Sequence, residues 1–237
     1  MPGIEVNLRI IRDTVARAAE RAGRDPAGVL LVAISKGHPA ESVRSAYELG
    51  LRVFGENRAG EGIGKRDAVR DLAGITWHMV GHIQSRKAGQ VASNFDLVHS
   101  VDREKIARRL NQTREPGLGK LPVLIECNVS GEESKGGWRL EDERNWPTVV
   151  PTFAEITELD NLEVVGLMTM APMTGDKAIV RATFRRLRDL QGFLKAKVPQ
   201  SGWNELSMGM TDDYPIAIEE GATMIRLGRA VFGPRRM

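Results

Sequence analysis

The sequence predicts an α/β fold: a single (β/α)8 barrel over residues 1–237, with an extra helix ahead of its first strand. Three observations point there. Short apolar runs alternate with helical patterns, eight strands in about 240 residues, which is the rhythm of a parallel sheet and the size of a barrel. No linker, low-complexity tract or sequence repeat divides the chain. Chemically unusual residues fall at the carboxyl ends of the predicted strands, the edge where such sheets place their sites. A doubly wound open sheet satisfies the same alternation.

Ile4, Leu8, Ile11, Val15, Ala18 and Ala22 recur at helical spacing, and Gly23 marks the stop. Strand one covers 29–35, an unbroken apolar run buried on both faces. A helix from Pro39 to Leu49 follows, with Pro in its first turn and Gly50 beyond its end. Strand two is 51–54, then comes a polar helix to about residue 70. Strand three is 75–80, with a helix over 85–93. Strand four is 95–98, and Asp102 is placed to cap the next helix. Strand five is 121–128. The polar, glycine-containing segment 130–137 reads as a mobile loop. A helix over 146–159 starts weakly because of Pro147 and Pro151, and strand six is 162–168. Val180, Phe184, Leu187, Leu190 and Leu194 form one stripe on the helix at 177–197. Strand seven is 205–207. Thr211 is placed to cap a short helix ending at Gly221, and strand eight is 223–227.

Apolar residues make up 41% and charged residues 27%, the balance of a globular protein. A formal charge of +3, with arginines scattered and no basic run among aromatics, argues against nucleic acid. The one cysteine, Cys127, excludes an intramolecular disulfide and a Cys-rich metal site. No segment approaches the roughly 20 apolar residues of a membrane span. The first residues lack the charged and apolar regions of a signal peptide, so a cytoplasmic location is expected.

Lys36 ends the first strand where a helix is about to begin. A lysine against apolar walls loses hydration of its charged form and becomes a nucleophile toward carbonyls. Lys36, Asn57, His82, His99, Asn128, Met168, Ser207 and Arg226 each end a different strand, and a barrel gathers those ends around one mouth. The loops after strands seven and eight hold Ser207-Met208-Gly209-Met210-Thr211 and Arg226-Leu227-Gly228-Arg229. Barrels often bind phosphate there, and glycine lets backbone amides approach an oxyanion. His78, His82 and His99 have no companions at metal-ligand spacing. Glu56 is assigned as a helix cap in preference to a partner for Lys36. No nucleophile elbow, P-loop or Gly-x-Gly-x-x-Gly is present. A lysine facing a phosphate cradle suits a Schiff base to pyridoxal phosphate (PLP) or to a phosphorylated sugar, as in an aldolase.

Val32-Ala33-Ile34-Ser35-Lys36, Phe54-Gly55-Glu56-Asn57-Arg58, Trp77-His78-Met79-Val80-Gly81-His82, Asn128-Val129-Ser130-Gly131-Glu132-Glu133-Ser134-Lys135, Leu206-Ser207-Met208-Gly209-Met210-Thr211-Asp212-Asp213 and Ile225-Arg226-Leu227-Gly228 stand in the order of signature blocks. Together with Val98-His99-Ser100-Val101-Asp102 and Gly166-Leu167-Met168-Thr169-Met170, they resemble the PLP homeostasis protein family. The resemblance implies a barrel similar to the N-terminal domain of alanine racemase, of the fold type III PLP class. It implies that Lys36 carries PLP covalently as an internal aldimine. It assigns the phosphate to Ser207, Gly228 and the amide of Arg229, with Gly209 and Met210 nearby, and sets Arg226 against the pyridine nitrogen. Asn57, His82 and Met168 line the pocket. Gly37, Arg86 and Arg229 depart from the usual Thr, Asn and small hydroxyl residue, which leaves the role of the Arg229 side chain open. The implied function is a PLP buffer or carrier in B6 and amino-acid homeostasis, with apo-PLP enzymes as partners and no efficient turnover, and the lack of an obvious partner domain in the sequence points to a monomer. The alternative is a PLP-dependent amino-acid racemase, which needs a second base that this chain, with Tyr47 and Tyr214 as its only tyrosines, has no second domain to supply.

Overall fold

Eight parallel strands close on themselves in a computed structural model that describes residues 3–234. The ends of the expected 1–237 span, Met1-Pro2 and 235–237, lie outside the described residues. The strands are β1 (Leu30–Ile34), β2 (Val53–Glu56), β3 (Thr76–Met79), β4 (Leu97–Val101), β5 (Leu121–Asn128), β7 (Leu162–Met168), β8 (Glu205–Ser207) and β9 (Met224–Leu227). A two-residue strand, β6 (Trp138–Arg139), pairs with the carboxyl end of β5 and stands outside the ring. The ring runs β4-β3-β2-β1-β9-β8-β7-β5, and a β4–β5 pairing closes it.

The helices are α1 (Ile4–Arg21), α2 (Ala40–Glu48), α3 (Ala59–Ala68), α4 (Ala88–Asn94), α5 (Glu104–Thr113), α6 (Trp146–Thr157), α7 (Lys177–Lys197), α8 (Tyr214–Glu219) and α9 (Arg229–Phe232). They cover the outer faces of the strands. Leu8, Ile11, Ala18 and Ala19 are the buried stripe of α1, the helix ahead of the first strand. Its Asn7 Nδ2 donates to Val231 O at 2.9 Å, and Arg24, just past its end, donates to Ile218 O and Ala222 O. α1 is thereby fastened to the last two helices, so the first and last described helices meet on one side of the barrel.

Alternation along each strand separates two apolar layers. One large cluster fills the space between strands and helices. A smaller one, Val32, Ile34, Leu97, Leu124, Met168 and Met224, fills the barrel itself. Gly55 belongs to the inner set, where an added Cβ would lie 2.5 Å from Ile34 Cδ1. Above this apolar plug the inward positions turn polar.

Several sequence expectations shift. Strand two begins at 53, because Leu51 still closes the end of α2 through its N–H to Ala46 O. Strand four begins at 97, because the Phe95 N–H completes α4 on Val91 O, and it runs on through His99 and Ser100. The helix over 85–93 divides into a 3-10 turn at Ser85–Lys87 and then α4. The 130–137 loop is tied down: Asn128 Oδ1 accepts from the N–H groups of Ser130 and Gly131, and its Nδ2 donates to Glu132 O. α9 follows the last strand, where no helix was expected.

Three capping assignments are corrected. Arg103, not Asp102, precedes α5, and Asp102 instead accepts from His82 and Arg103. Asp213, not Thr211, is the N-cap of α8, and its Oδ1 accepts from the Met210 N–H at 2.6 Å. Glu56 caps no helix. It is fully buried and ion-paired to Lys65 at 2.6 Å.

Candidate functional site

A cavity of about 390 Å³ opens at the carboxyl end of the barrel. Its size lies within the range of ligand pockets, roughly 300–1,000 Å³. It is lined from six strand ends. Ile34, Lys36 and His38 come from β1 and the turn after it, Asn57 from β2, Val80 from β3, and Met170 and Met173 from the segment after β7. Met210, Thr211 and Asp212 follow β8, while Arg226, Gly228 and Arg229 come from β9 and α9. Lys36 arrives there by the period of two, since Val32 and Ile34 point into the barrel and Lys36 continues that register.

Arg226 is 5% exposed, yet it lines this cavity. Its Nη1 donates to Ser207 Oγ at 2.6 Å and its Nη2 to Thr169 O at 2.9 Å. A guanidinium has five N–H donors, so these two neutral acceptors leave donors over. Burial pulls its pKa down from the ordinary guanidinium value to about 10, opposed by Asp213 and Glu126, and it remains a cation at neutral pH.

Behind Arg226 a polar chain crosses the barrel. Ser207 Oγ lies 2.8 Å from His99 Nδ1, and His99 Nε2 lies 2.9 Å from His78 Nδ1. Burial holds both imidazoles neutral: His78 falls to about 4, and His99 falls well below its usual range, pushed further by His78 and Arg226. Two tautomeric directions fit neutral rings. The one that uses the Ser207 hydroxyl proton runs from Arg226 to Ser207, from Ser207 to His99 Nδ1 and from His99 Nε2–H to His78 Nδ1. Glu126 stands on the same inner face of β5, and burial pushes its carboxyl up to about 7, with Asp102 adding to the rise and Arg226 opposing it.

Six strand ends and the segments after them thus meet, but not every residue selected from the sequence reaches the cavity. Lys36, Asn57, Met210, Arg226, Gly228 and Arg229 line it. Met168 lies one layer down in the barrel plug, and Met170, two residues on, takes the wall position. Ser207 is fully buried with its hydroxyl between Arg226 and His99. Gly209 packs away from the opening, where an added Cβ would lie 2.7 Å from Ala217 Cβ. His82 turns outward. Its Nδ1 lies 2.8 Å from Asp102 Oδ2, and it lines a neighbouring cavity of about 460 Å³ with Arg58, Lys87 and Asn57. The sequence reading passed over His38, Val80, Met170, Met173 and Asp212. A two-residue step from Lys36, His78 and Met168 reaches His38, Val80 and Met170, so strand parity carried their signal. Arg229 pairs with Asp212 at 2.7 Å across the rim.

Among the described residues no group of His, Cys, Asp or Glu is arranged to hold a metal ion. No helix among them is long and apolar enough to cross a membrane. The donor set fits PLP: a primary amine, a buried guanidinium with spare donors and a glycine-containing rim share one opening.

A family model described as the alanine racemase N-terminal domain matches residues 6–236. The pyridoxal phosphate homeostasis protein of Pseudomonas aeruginosa is 45% identical over 236 residues, covering 99% of this chain and 97% of that one. Its Escherichia coli K12 namesake is 38% identical, covering 99% and 98%. Among solved structures, PipY of Synechococcus elongatus PCC7942 with PLP bound superposes with a TM-score of 0.79 at 36% identity, over 93% of this chain and 100% of that one. Alanine racemase of Clostridium difficile 630 shares the fold, with a TM-score of 0.68 at 16% identity, over 98% of this chain and 57% of that one. Matched along nearly its whole length by the family model and by these relatives, the chain belongs to the alanine racemase N-terminal domain family and, within it, to the pyridoxal phosphate homeostasis proteins.

Proposed function

We propose that this chain binds PLP at the barrel mouth, held covalently by Lys36 through a Schiff base, and that it serves PLP and amino-acid homeostasis as a buffer or carrier. The observation that carries this reading is Lys36 and Arg226 lining one cavity. The cofactor supplies an aldehyde for imine formation and a ring that withdraws electrons when its nitrogen is protonated. Lys36 Nζ provides the amine. The amides of Gly228 and Arg229 and the Thr211 hydroxyl provide donors for the phosphate, with the Arg229 side chain adding charge at the rim. Arg226 would face the ring nitrogen, and its positive charge there would disfavour protonation of that nitrogen. That weakens the electron sink and favours holding over turnover.

Further support comes from the tyrosines. Tyr47 donates to Ala73 O on the far side of α2, Tyr214 is buried in α8, and neither lines the cavity. A racemase pairs its lysine with a second base across the cofactor, and no tyrosine stands there for the role. In this reading the chain works as a one-domain cytoplasmic monomer that hands PLP to apo-enzymes.

The test is the absorption spectrum of the purified protein with PLP, before and after borohydride, beside Lys36→Ala. The expected result is a visible band that borohydride converts to a stable adduct on Lys36, absent from the variant. A chain that takes up no PLP would refute the reading. Racemisation of an amino acid well above the rate with free PLP would refute the carrier role.

A further inference from the structure

Lys36 stands in the turn between β1 and α2, and one buried cluster grips the peptide units on both sides of it. On the amino side, Lys65 Nζ donates to Ser35 O at 2.6 Å, and Ser35 Oγ donates to Glu56 Oε1 at 2.6 Å. On the carboxyl side, the Gly37 N–H donates to Glu61 Oε1 at 2.6 Å. Lys65 ties the two halves together, since its Nζ also donates to Glu56 Oε1 at 2.6 Å and to Glu61 Oε1 at 2.8 Å. Glu61 and Lys65 are one turn apart on α3, so a single helix face presents both to the turn. Gly37 has φ 73°, the left-handed conformation that glycine takes at no steric cost, and it supplies the N–H that Glu61 receives.

None of Glu56, Glu61 or Lys65 lines the cavity. As a device for stability alone the cluster is a poor choice. Glu56 and Lys65 are drawn out of water, Glu61 is partly so, and Glu56 Oε2 is left buried with no partner. Burial raises the Glu56 carboxyl despite Lys65 and Ser35. Burial also opposes ionisation of Glu61, but Lys65 and the Gly37 N–H hold it below its ordinary value. What the cluster does fix is local: it removes the freedom of the two peptide units that aim the Lys36 side chain.

We propose that Glu61 and Lys65 are positioning residues for Lys36, clamping the Ser35 and Gly37 peptides so that its amine is held toward the cavity. The proposal rests on the reading of Lys36 as the residue that carries PLP. Without the clamp the amine samples more directions, and reactions that depend on a fixed approach slow steeply with small misplacements.

The test uses Glu61→Ala and Glu61→Gln in the full chain, since Glu61 is half-buried at the edge of the cluster. Each is mixed with PLP. The growth of the visible band and the yield of borohydride adduct on Lys36 are followed, with the melting temperature as a control. Glu61→Ala is expected to slow attachment roughly tenfold. Glu61→Gln keeps an oxygen for the Gly37 N–H and is expected to restore the rate to within about twofold of the parent. Rescue by the amide separates positioning from a general loss of stability. Attachment by Glu61→Ala at the parental rate would overturn the clamp and leave the PLP reading standing. A parental chain that forms no adduct would overturn both.

Discussion

Glu126 offers the sharpest test of the electrostatics inside the barrel. Its carboxyl sits on the inner face of β5, 7% exposed, and burial raises it from an ordinary 4.5 to about 7. A carboxyl whose pKa is higher folded than unfolded binds more protons in the native state between those values, so stability falls as pH rises through that window. The gap from 4.5 to about 7 corresponds to roughly 3 kcal/mol, fully developed above about pH 7. Glu126→Gln removes the titration and keeps the shape. Urea unfolding of the cofactor-free protein at about pH 5 and about pH 9 reads the difference. Near pH 5 the two proteins are expected to agree within about 1 kcal/mol, because the native carboxyl is protonated there. Near pH 9 the variant is expected to be more stable by about 2–3 kcal/mol relative to that baseline. Equal stability differences at both pH values would refute the reasoning and show that the folded carboxyl titrates near its ordinary value. The acid limb has the opposite sign: His78, lowered to about 4, contributes stability that is lost as pH falls below about 6.5.

Two further outcomes concern the walls of the site. A Cβ on Gly81 would lie 2.3 Å from Asn57 O, so Gly81→Ala is expected to displace Asn57 and weaken PLP uptake several-fold in an equilibrium titration, with a cost of about 1–3 kcal/mol in unfolding. Unchanged PLP affinity would argue that Asn57 makes no contribution. Asp213→Ala removes the acceptor of the Met210 N–H just ahead of α8, and about 1 kcal/mol of stability should go with that hydrogen bond, together with slower PLP attachment as the Met210 wall loosens. A melting temperature equal to the parent would refute that role for Asp213.

Much of this protein could be read from its sequence, because the signals involved are local. Short apolar runs, a period of 3.6 between them and glycine stops were enough for the alternation of strands and helices, and the end of the first run singled out Lys36, while closure of the sheet into a ring rests on the β4–β5 pairing. The period of two along a strand carries residues such as Val80 and Met170 to the mouth. Depth and direction were set by tertiary structure. Met168 and Met170 share a face of one strand, and only the height of the barrel plug decides which of them meets the cavity. Ser207 looked like a free hydroxyl, but closure of the ring sets it between Arg226 and His99, residues 19 and 108 positions away in the chain. His82 looked inward until Asp102, 20 residues on, drew it outside the barrel. Glu56 and Lys65, nine residues apart, show no pairing signal beyond helix-surface chemistry until α3 folds back over β1 and β2. Each of these partnerships depends on where separate strands and helices come to lie against one another, and no local pattern in the chain records that.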